Sequence, residues 1–278
     1  MIFDKVYIIG SGSICISLLK SLLKDNIVPE IILYKEHTIS ILSSFTSNNS
    51  IVTHKFETPK SLKSFLENIK EKSLIISANN IYLFPESVIN NEYLKIINFH
   101  NAILPYHRGM NAPTWSIFEQ DDFAGITWHL VNKNIDDGDI IIQKKIKLTQ
   151  EETAIALIRQ LMTLAFVSFE EIRNDLLIWD LKTIKMPVAN NSQIHYSKDI
   201  PNDGILDLKW NTTKISAFLR SLNWGVIKQF PNAKILIQDE FYEICSYEIL
   251  TKTMNKEFFD KENLFYYKEN IKIKVIPL

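Results

Sequence analysis

In the stretch Asn98-Phe99-His100-Asn101-Ala102-Ile103-Leu104-Pro105-Tyr106-His107-Arg108-Gly109, an amide and an imidazole stand two residues apart, at Asn98 and His100. On an extended backbone that spacing turns both side chains to one face and Phe99 to the other. An amide so placed can donate a hydrogen bond to a carbonyl oxygen as negative charge builds on it, and an imidazole titrating near neutrality can take a proton from an attacking amine. A polar strand end with a satisfied histidine accounts for the same two residues. The surroundings have to decide between these readings.

Residues 94–97 are a short apolar run suited to a buried strand, so Asn98 and His100 fall at its carboxyl end, where open α/β sheets bind ligands. The chain before it alternates strand and helix. Residues 6–9 are a β-branched and aromatic run, followed by Gly10-Ser11-Gly12-Ser13 and an apolar-periodic segment at 14–23. This strand, turn and helix open a doubly wound fold. The third glycine of a dinucleotide fingerprint is missing, so a plain turn or a phosphate seat at Gly10 and Ser11 is preferred to a nucleotide cofactor. Strands are expected at 31–34, 51–53 and 74–77, a helix at 61–70, and a serine- and asparagine-rich loop at 43–50. Residues 79–89 carry Tyr82, Leu83, Phe84 and Ile89 past a strand end, either as an apolar slot for a flat heterocycle or as core aromatics that anchor a loop.

Residues 124–131 and 140–146 read as strands around Asn132-Lys133-Asn134-Ile135-Asp136-Asp137-Gly138-Asp139. Three aspartates with a glycine ordinarily make a turn. A metal site is the sharper alternative, but no further acid or histidine stands at a helpful spacing, and no metal is expected. A long amphipathic helix is expected at 151–174 with Thr149 as its cap. A linker at 189–193 then leads to one helix at 213–222 and short strands at 235–237, 242–247, 265–267 and 271–275. The expected architecture is therefore α/β. A Rossmann-like, mostly parallel sheet domain covers 1–186, and a smaller, mainly β, barrel-like (OB-like) carboxyl-terminal domain covers 187–278.

Composition excludes several classes. The 278 residues are 46% hydrophobic and 23% charged with a net charge of −1, which gives no general attraction to nucleic acid. Cys15 and Cys245 are the only cysteines, too few and too far apart for a disulfide framework. The amino terminus lacks the order of a secretory signal, and no apolar run approaches the roughly 18 to 20 residues of a membrane span, so a cytoplasmic protein is expected.

Asn98-Phe99-His100, the Leu104-Pro105 turn with Arg108-Gly109, Gly125-Ile126-Thr127 and Asp136-Asp137-Gly138-Asp139 together resemble the formyltransferases that use 10-formyltetrahydrofolate. That family includes methionyl-tRNA formyltransferase, glycinamide ribonucleotide transformylase and the sugar N-formyltransferases. The likeness is clear over residues 74–148 and looser beyond. It implies Asn98, His100 and Asp136 as the catalytic trio, 10-formyltetrahydrofolate as formyl donor, and a folate site flanked by Tyr82, Leu83, Phe84, Ile89, Val131, Asn132, Lys133 and Ile135. Asp137 and Asp139 are expected to form the turn.

The acceptor is less constrained. Arg108, Met110, Asn111 and Trp115, with the turn at Gly10 and Ser11, are the candidates for binding it. Asn111-Ala112-Pro113-Thr114-Trp115, Thr127-Trp128-His129 and Asn223-Trp224-Gly225 resemble the formyltransferase domains of peptide synthetases and, in part, the sugar N-formyltransferases. The resemblance thus implies an amine on a nucleotide-linked amino sugar or on a carrier-protein-bound aminoacyl group, with room for a homodimer. Methionyl-tRNA is disfavoured by the balanced charge and the acidic residues at 119–122. A formyltetrahydrofolate hydrolase and a non-catalytic folate-binding module are the remaining alternatives.

Overall fold

A computed structural model describes residues 1–35, 40–189, 192–251 and 257–278. The chain divides into two compact units, one made of residues 1–109, 125–146 and 159–194, the other of 110–124, 147–158 and 195–278.

The first unit is built on β1 (Lys5–Gly10), β2 (Glu30–Tyr34), β3 (Thr53–Phe56), β4 (Ser73–Ala78) and β5 (Leu94–His100). After the two-residue β6 (Arg108–Gly109), β7 (Phe123–Leu130) and β8 (Ile140–Lys147) complete a seven-stranded sheet in the order β3-β2-β1-β4-β5-β7-β8. Pairing is parallel from β3 to β5 and turns antiparallel between β5 and β7. Every residue of the central β4 is buried, as its unbroken run of small and apolar side chains requires. Helix α1 (Gly12–Lys24) covers the sheet with Ile14, Cys15, Leu18, Leu19 and Leu22, a single stripe at helical spacing.

Three sequence expectations are corrected. Residues 43–50 are not a loop: α2 spans Ile41–Asn48, started by a reciprocal capping box between Ser40 and Ser43 and seated by buried Leu42 and Thr46. Ser43 and Thr46 turn their hydroxyls back to carbonyls one turn earlier, so a polar composition hides a helix. The third strand lies later than 51–53. It is the sheet edge, where burial on one face alone needs no continuous apolar run. After α3 (Pro59–Glu67), α4 (Glu86–Ile89) and α5 (Ala112–Glu119), the long α6 spans Ala154–Ile178 and starts later than expected. Thr149 is not its cap. The Ala156 N–H donates to Thr153 Oγ1, while Thr149 is engaged by Glu152. Within this unit, Leu161, Ala165, Phe169, Ile172 and Leu176 form the buried stripe of α6.

The second unit carries α5, α7 (Thr212–Ser221) and a six-stranded sheet. After β9 (Ile194–His195), its strands are β10 (Ile205–Leu206), β11 (Lys234–Ile237), β12 (Glu240–Ile249), β13 (Phe258–Asp260), β14 (Phe265–Lys268) and β15 (Ile271–Pro277), ordered β10-β11-β12-β15-β14-β13. Its core joins Ile215 and Phe218 of α7 to Ile235, Tyr242, Ile271, Ile273 and Val275 of the sheet. Part of the expected linker, residues 190 and 191, lies outside the described residues.

Candidate active site

β5 alternates as expected. Phe99 is buried against Trp128, with ring centroids 5.4 Å apart, whereas Asn98 and His100 face the other way. The antiparallel register places His129 opposite Asn98 and Thr127 opposite His100. Two strands thus bring polar residues of the same phase to one corner of the sheet.

Asp136 enters this corner from the loop between β7 and β8. Its Oδ2 lies 3.4 Å from His100 Nδ1 and accepts from the Gly109 N–H at 2.8 Å. Its Oδ1 lies 3.4 Å from His129 Nε2 and accepts from Asn98 Nδ2 at 3.3 Å. Asn98, His100 and Asp136 are therefore brought together. The approach depends on Gly138, where a Cβ would sit 1.7 Å from the Leu130 carbonyl oxygen, so no larger residue allows the loop to fold back here.

The histidine tautomers follow from their fixed partners. His100 Nε2 lies 2.8 Å from the His107 carbonyl oxygen, an acceptor only, so Nε2 carries the proton and Nδ1 faces Asp136. His129 Nδ1 likewise donates to the Leu130 carbonyl at 2.8 Å, leaving Nε2 to accept from Asn98 Nδ2 at 3.2 Å. Burial lowers the His100 pKa from its ordinary value, outweighing the opposing pull of Asp136 and of the His107 carbonyl. At Asp136 burial works to raise the pKa, but His100, His129 and the Gly109 N–H together hold it well below the usual carboxylate range. The corner therefore holds a neutral imidazole beside a carboxylate anion near neutral pH.

The segment after His100 is fixed by Thr127 and Gln143. Thr127 Oγ1 donates to the Ala102 carbonyl at 2.7 Å, and Gln143 Nε2 donates to Thr127 Oγ1 at 3.0 Å and to the Leu104 carbonyl at 2.9 Å. Arg108 pairs through Nη1 with Asp137 Oδ1 at 2.7 Å, and Asn132 Nδ2 donates to the Asp137 carbonyl. Adjacent residues 108 and 109 thus grip adjacent residues 137 and 136.

Of the expected folate-side residues, Tyr82 is a core anchor, with its ring edge-on to Tyr34 and Phe84. Leu83 is 68% exposed and Ile81 58%, while Phe84, Ile89, Val131, Asn132 and Ile135 are partly buried and Lys133 is exposed. The turn at Gly10 is shaped by close approach to β4, since a Cβ there would meet the Ala78 carbonyl oxygen at 1.7 Å. Ser11 Oγ donates to the Asn79 carbonyl at 3.1 Å. Met110, Asn111 and Trp115 belong to the second unit, where the Trp115 ring stacks on His195 at 4.0 Å and Asn111 accepts from Gln229. Sequence reasoning missed His129 as a member of the corner. Its signal is the in-phase pair Thr127 and His129, legible only once β7 is paired with β5.

A family model, Formyl transferase, matches residues 6–166, more than half of the chain, and the protein belongs to this family. Among curated relatives, a GDP-perosamine N-formyltransferase of Brucella melitensis is 27% identical over 173 residues, covering 60% of this chain and 64% of the relative. A methionyl-tRNA formyltransferase of Prochlorococcus marinus is 26% identical over 216 residues, covering 72% and 63% respectively. The matches thus span just under two thirds of these relatives' lengths. The fold is that of solved formyltransferases. An N-formyltransferase from Helicobacter canadensis in complex with folinic acid and dTDP-3-aminofucose superposes with a TM-score of 0.77 at 18% identity, over 98% of this chain and 99% of that one. WlaRD, a sugar 3N-formyl transferase, gives 0.76 at 19% identity, over 99% and 98%.

Proposed function

We propose that this protein is an N-formyltransferase that moves the formyl group of 10-formyltetrahydrofolate to the primary amine of a nucleotide-linked amino sugar. The observation that carries the reading is the meeting of Asn98, His100 and Asp136 at the carboxyl end of β5. Family membership supports formyl transfer, and the perosamine and aminofucose relatives support a sugar acceptor. The aminoacyl carrier-protein acceptor has no such support. Among the described residues no helix is long and apolar enough to cross a membrane, and the reading places the enzyme in the cytoplasm.

The residues fit a folate. Exposed apolar Ile81 and Leu83 sit on the loop that follows β4, beside partly buried Phe84. Leu83, Phe84, Ile89, Val131 and Ile135 would hold the heterocycle, and the bound folate supplies the activated formyl carbon. Asn98 Nδ2 offers an N–H to the formyl oxygen as charge grows there; its contacts to Asp136 and His129, at 3.3 and 3.2 Å, are long enough to yield to a stronger acceptor. With Nε2 committed to the His107 carbonyl, His100 Nδ1 is the atom left to take the amine proton. Asp136 would offset the charge of the imidazolium, which would give that proton to the folate nitrogen released as its bond to the formyl carbon breaks, while the amine nitrogen bonds to that carbon.

The test is incubation with 10-formyltetrahydrofolate and, separately, nucleotide-linked amino sugars, an aminoacyl carrier protein and methionyl-tRNA, with mass spectrometry of each acceptor. The expected result is a formyl group on an amino sugar, lost about a hundredfold to a thousandfold in rate in Asn98→Ala. Formylation confined to the carrier protein or the tRNA, or formate released without an amine, refutes it.

A further inference from the structure

We infer that Ser77 and Asn80 are positioning residues that set the orientation of the Asn98 amide and tie it to the loop bearing Ile81 and Leu83. The link to catalysis rests on the formyl-transfer reading. Ser77 is fully buried on β4 and is the register partner of Asn98 on β5. Its Oγ donates to Asn98 Oδ1 at 2.7 Å, and Asn80 Nδ2 donates to Ser77 Oγ at 3.2 Å. Asn80 also clasps its own loop, accepting from the Tyr82 N–H at 2.9 Å and donating to the Tyr82 carbonyl at 3.1 Å.

The direction of this chain is forced at both ends. Asp136 is an anion and accepts only, so the Asn98 atom facing it is the NH2 and the atom facing Ser77 is the carbonyl oxygen. The Asn80 amide is oriented by the Tyr82 N–H, which fixes its oxygen, so its NH2 faces Ser77. The Ser77 hydroxyl therefore receives from Asn80 and has its own proton free for Asn98. Every donor in the series Asn80, Ser77, Asn98, Asp136 points the same way, and such aligned chains strengthen their members. Without the Ser77 hydroxyl, the partly buried Asn98 side chain loses the donor to its oxygen, and the amide is free to rotate its N–H groups away from the reacting oxygen. Without Asn80, the loop at residues 81–84 also loses its anchor.

Two readouts test this. Ser77→Ala is expected to lower kcat about tenfold, the worth of one buried hydrogen bond, with both KM values within about twofold. Exchange of the Asn98 side-chain amide protons, followed by NMR of asparagine-labelled protein, is expected to quicken by a similar factor. Ser77→Thr, which keeps the hydroxyl, is expected to restore both, and Asn80→Ala to lower kcat and also raise KM for the folate. If Ser77→Ala does not fold, Ser77→Cys, with its weaker donor, is expected to fall between. A folded Ser77→Ala or Ser77→Cys protein with parental kcat and parental exchange overturns the inference. If the parental protein transfers no formyl group, the function reading fails on its own, and the exchange still decides whether Ser77 orients the amide.

Discussion

Asn98 and His129 face each other across the antiparallel pair β5 and β7, and their side chains meet at 3.2 Å over Asp136. His129 therefore touches both the amide and the carboxylate of the trio, although it approaches from a different strand. His129→Ala is expected to cost about tenfold in formyl transfer, the worth of the lost hydrogen bond from the Asn98 amide, and His129→Gln to recover part of it. Steady-state kinetics on variants with parental melting curves check this. Activity within about twofold of parental would reduce the contact to packing.

Stability should fall on acidification in two stages. His100 is held below its ordinary value near 6.5, so between its folded value and 6.5 the unfolded chain binds a proton that the folded chain refuses. Stability is then lost as pH drops below about 6.5. Asp136 is held below its ordinary value of 3.8, so a second loss begins as pH falls through that range. Urea midpoints measured from pH 8 to pH 3 are expected to decline less in the first window for His100→Gln and less in the second for Asp136→Asn. The rate should share the first limb, rising with pH to a midpoint below 6.5.

Gly138 is the hinge on which Asp136 reaches the corner. Gly138→Ala places a Cβ 1.7 Å from the Leu130 carbonyl oxygen, a clash with backbone that cannot be relieved by a side-chain rotation. A loss of about 1 to 3 kcal/mol is expected, with a collapse of activity larger than the loss of stability explains. Thermal melting alongside kcat separates the two.

Leu83 is largely exposed, so Leu83→Asp should leave stability within about 0.5 kcal/mol of parental. If the loop packs on the folate, the same change is expected to raise KM for the formyl donor about tenfold or more, because the leucine loses the burial it gains on binding. An unchanged KM would remove this loop from the donor site.

Much of this was readable in the sequence because the central strands are continuous apolar runs and because Asn98 and His100 alternate with Phe99. Asp136 is legible only through the resemblance of Asp136-Asp137-Gly138-Asp139, with the other motifs, to the family. α2 was hidden because serine and threonine hydroxyls can satisfy themselves on their own helix, as Thr46 does on the Ser43 carbonyl. Tyr82 was ambiguous for a different reason, since an aromatic side chain on a loop has the same composition whether it lines a slot or anchors a core. His129 and Ser77 depend on which strands become neighbours, a long-range property that local spacing does not encode.

The hydrogen-bond and ion-pair partners of Asp136, namely Asn98, His100, Gly109 and His129, all belong to the first unit, which breaks off after Gly109. A chimaera that exchanges only residues 110–124, with junctions after Gly109 and before Gly125, would therefore keep the whole carboxylate cradle. Residues 110–124 could then be drawn from a different parent as a cassette, which would test whether this segment influences acceptor choice under the proposed function while the Asp136 contacts are unchanged.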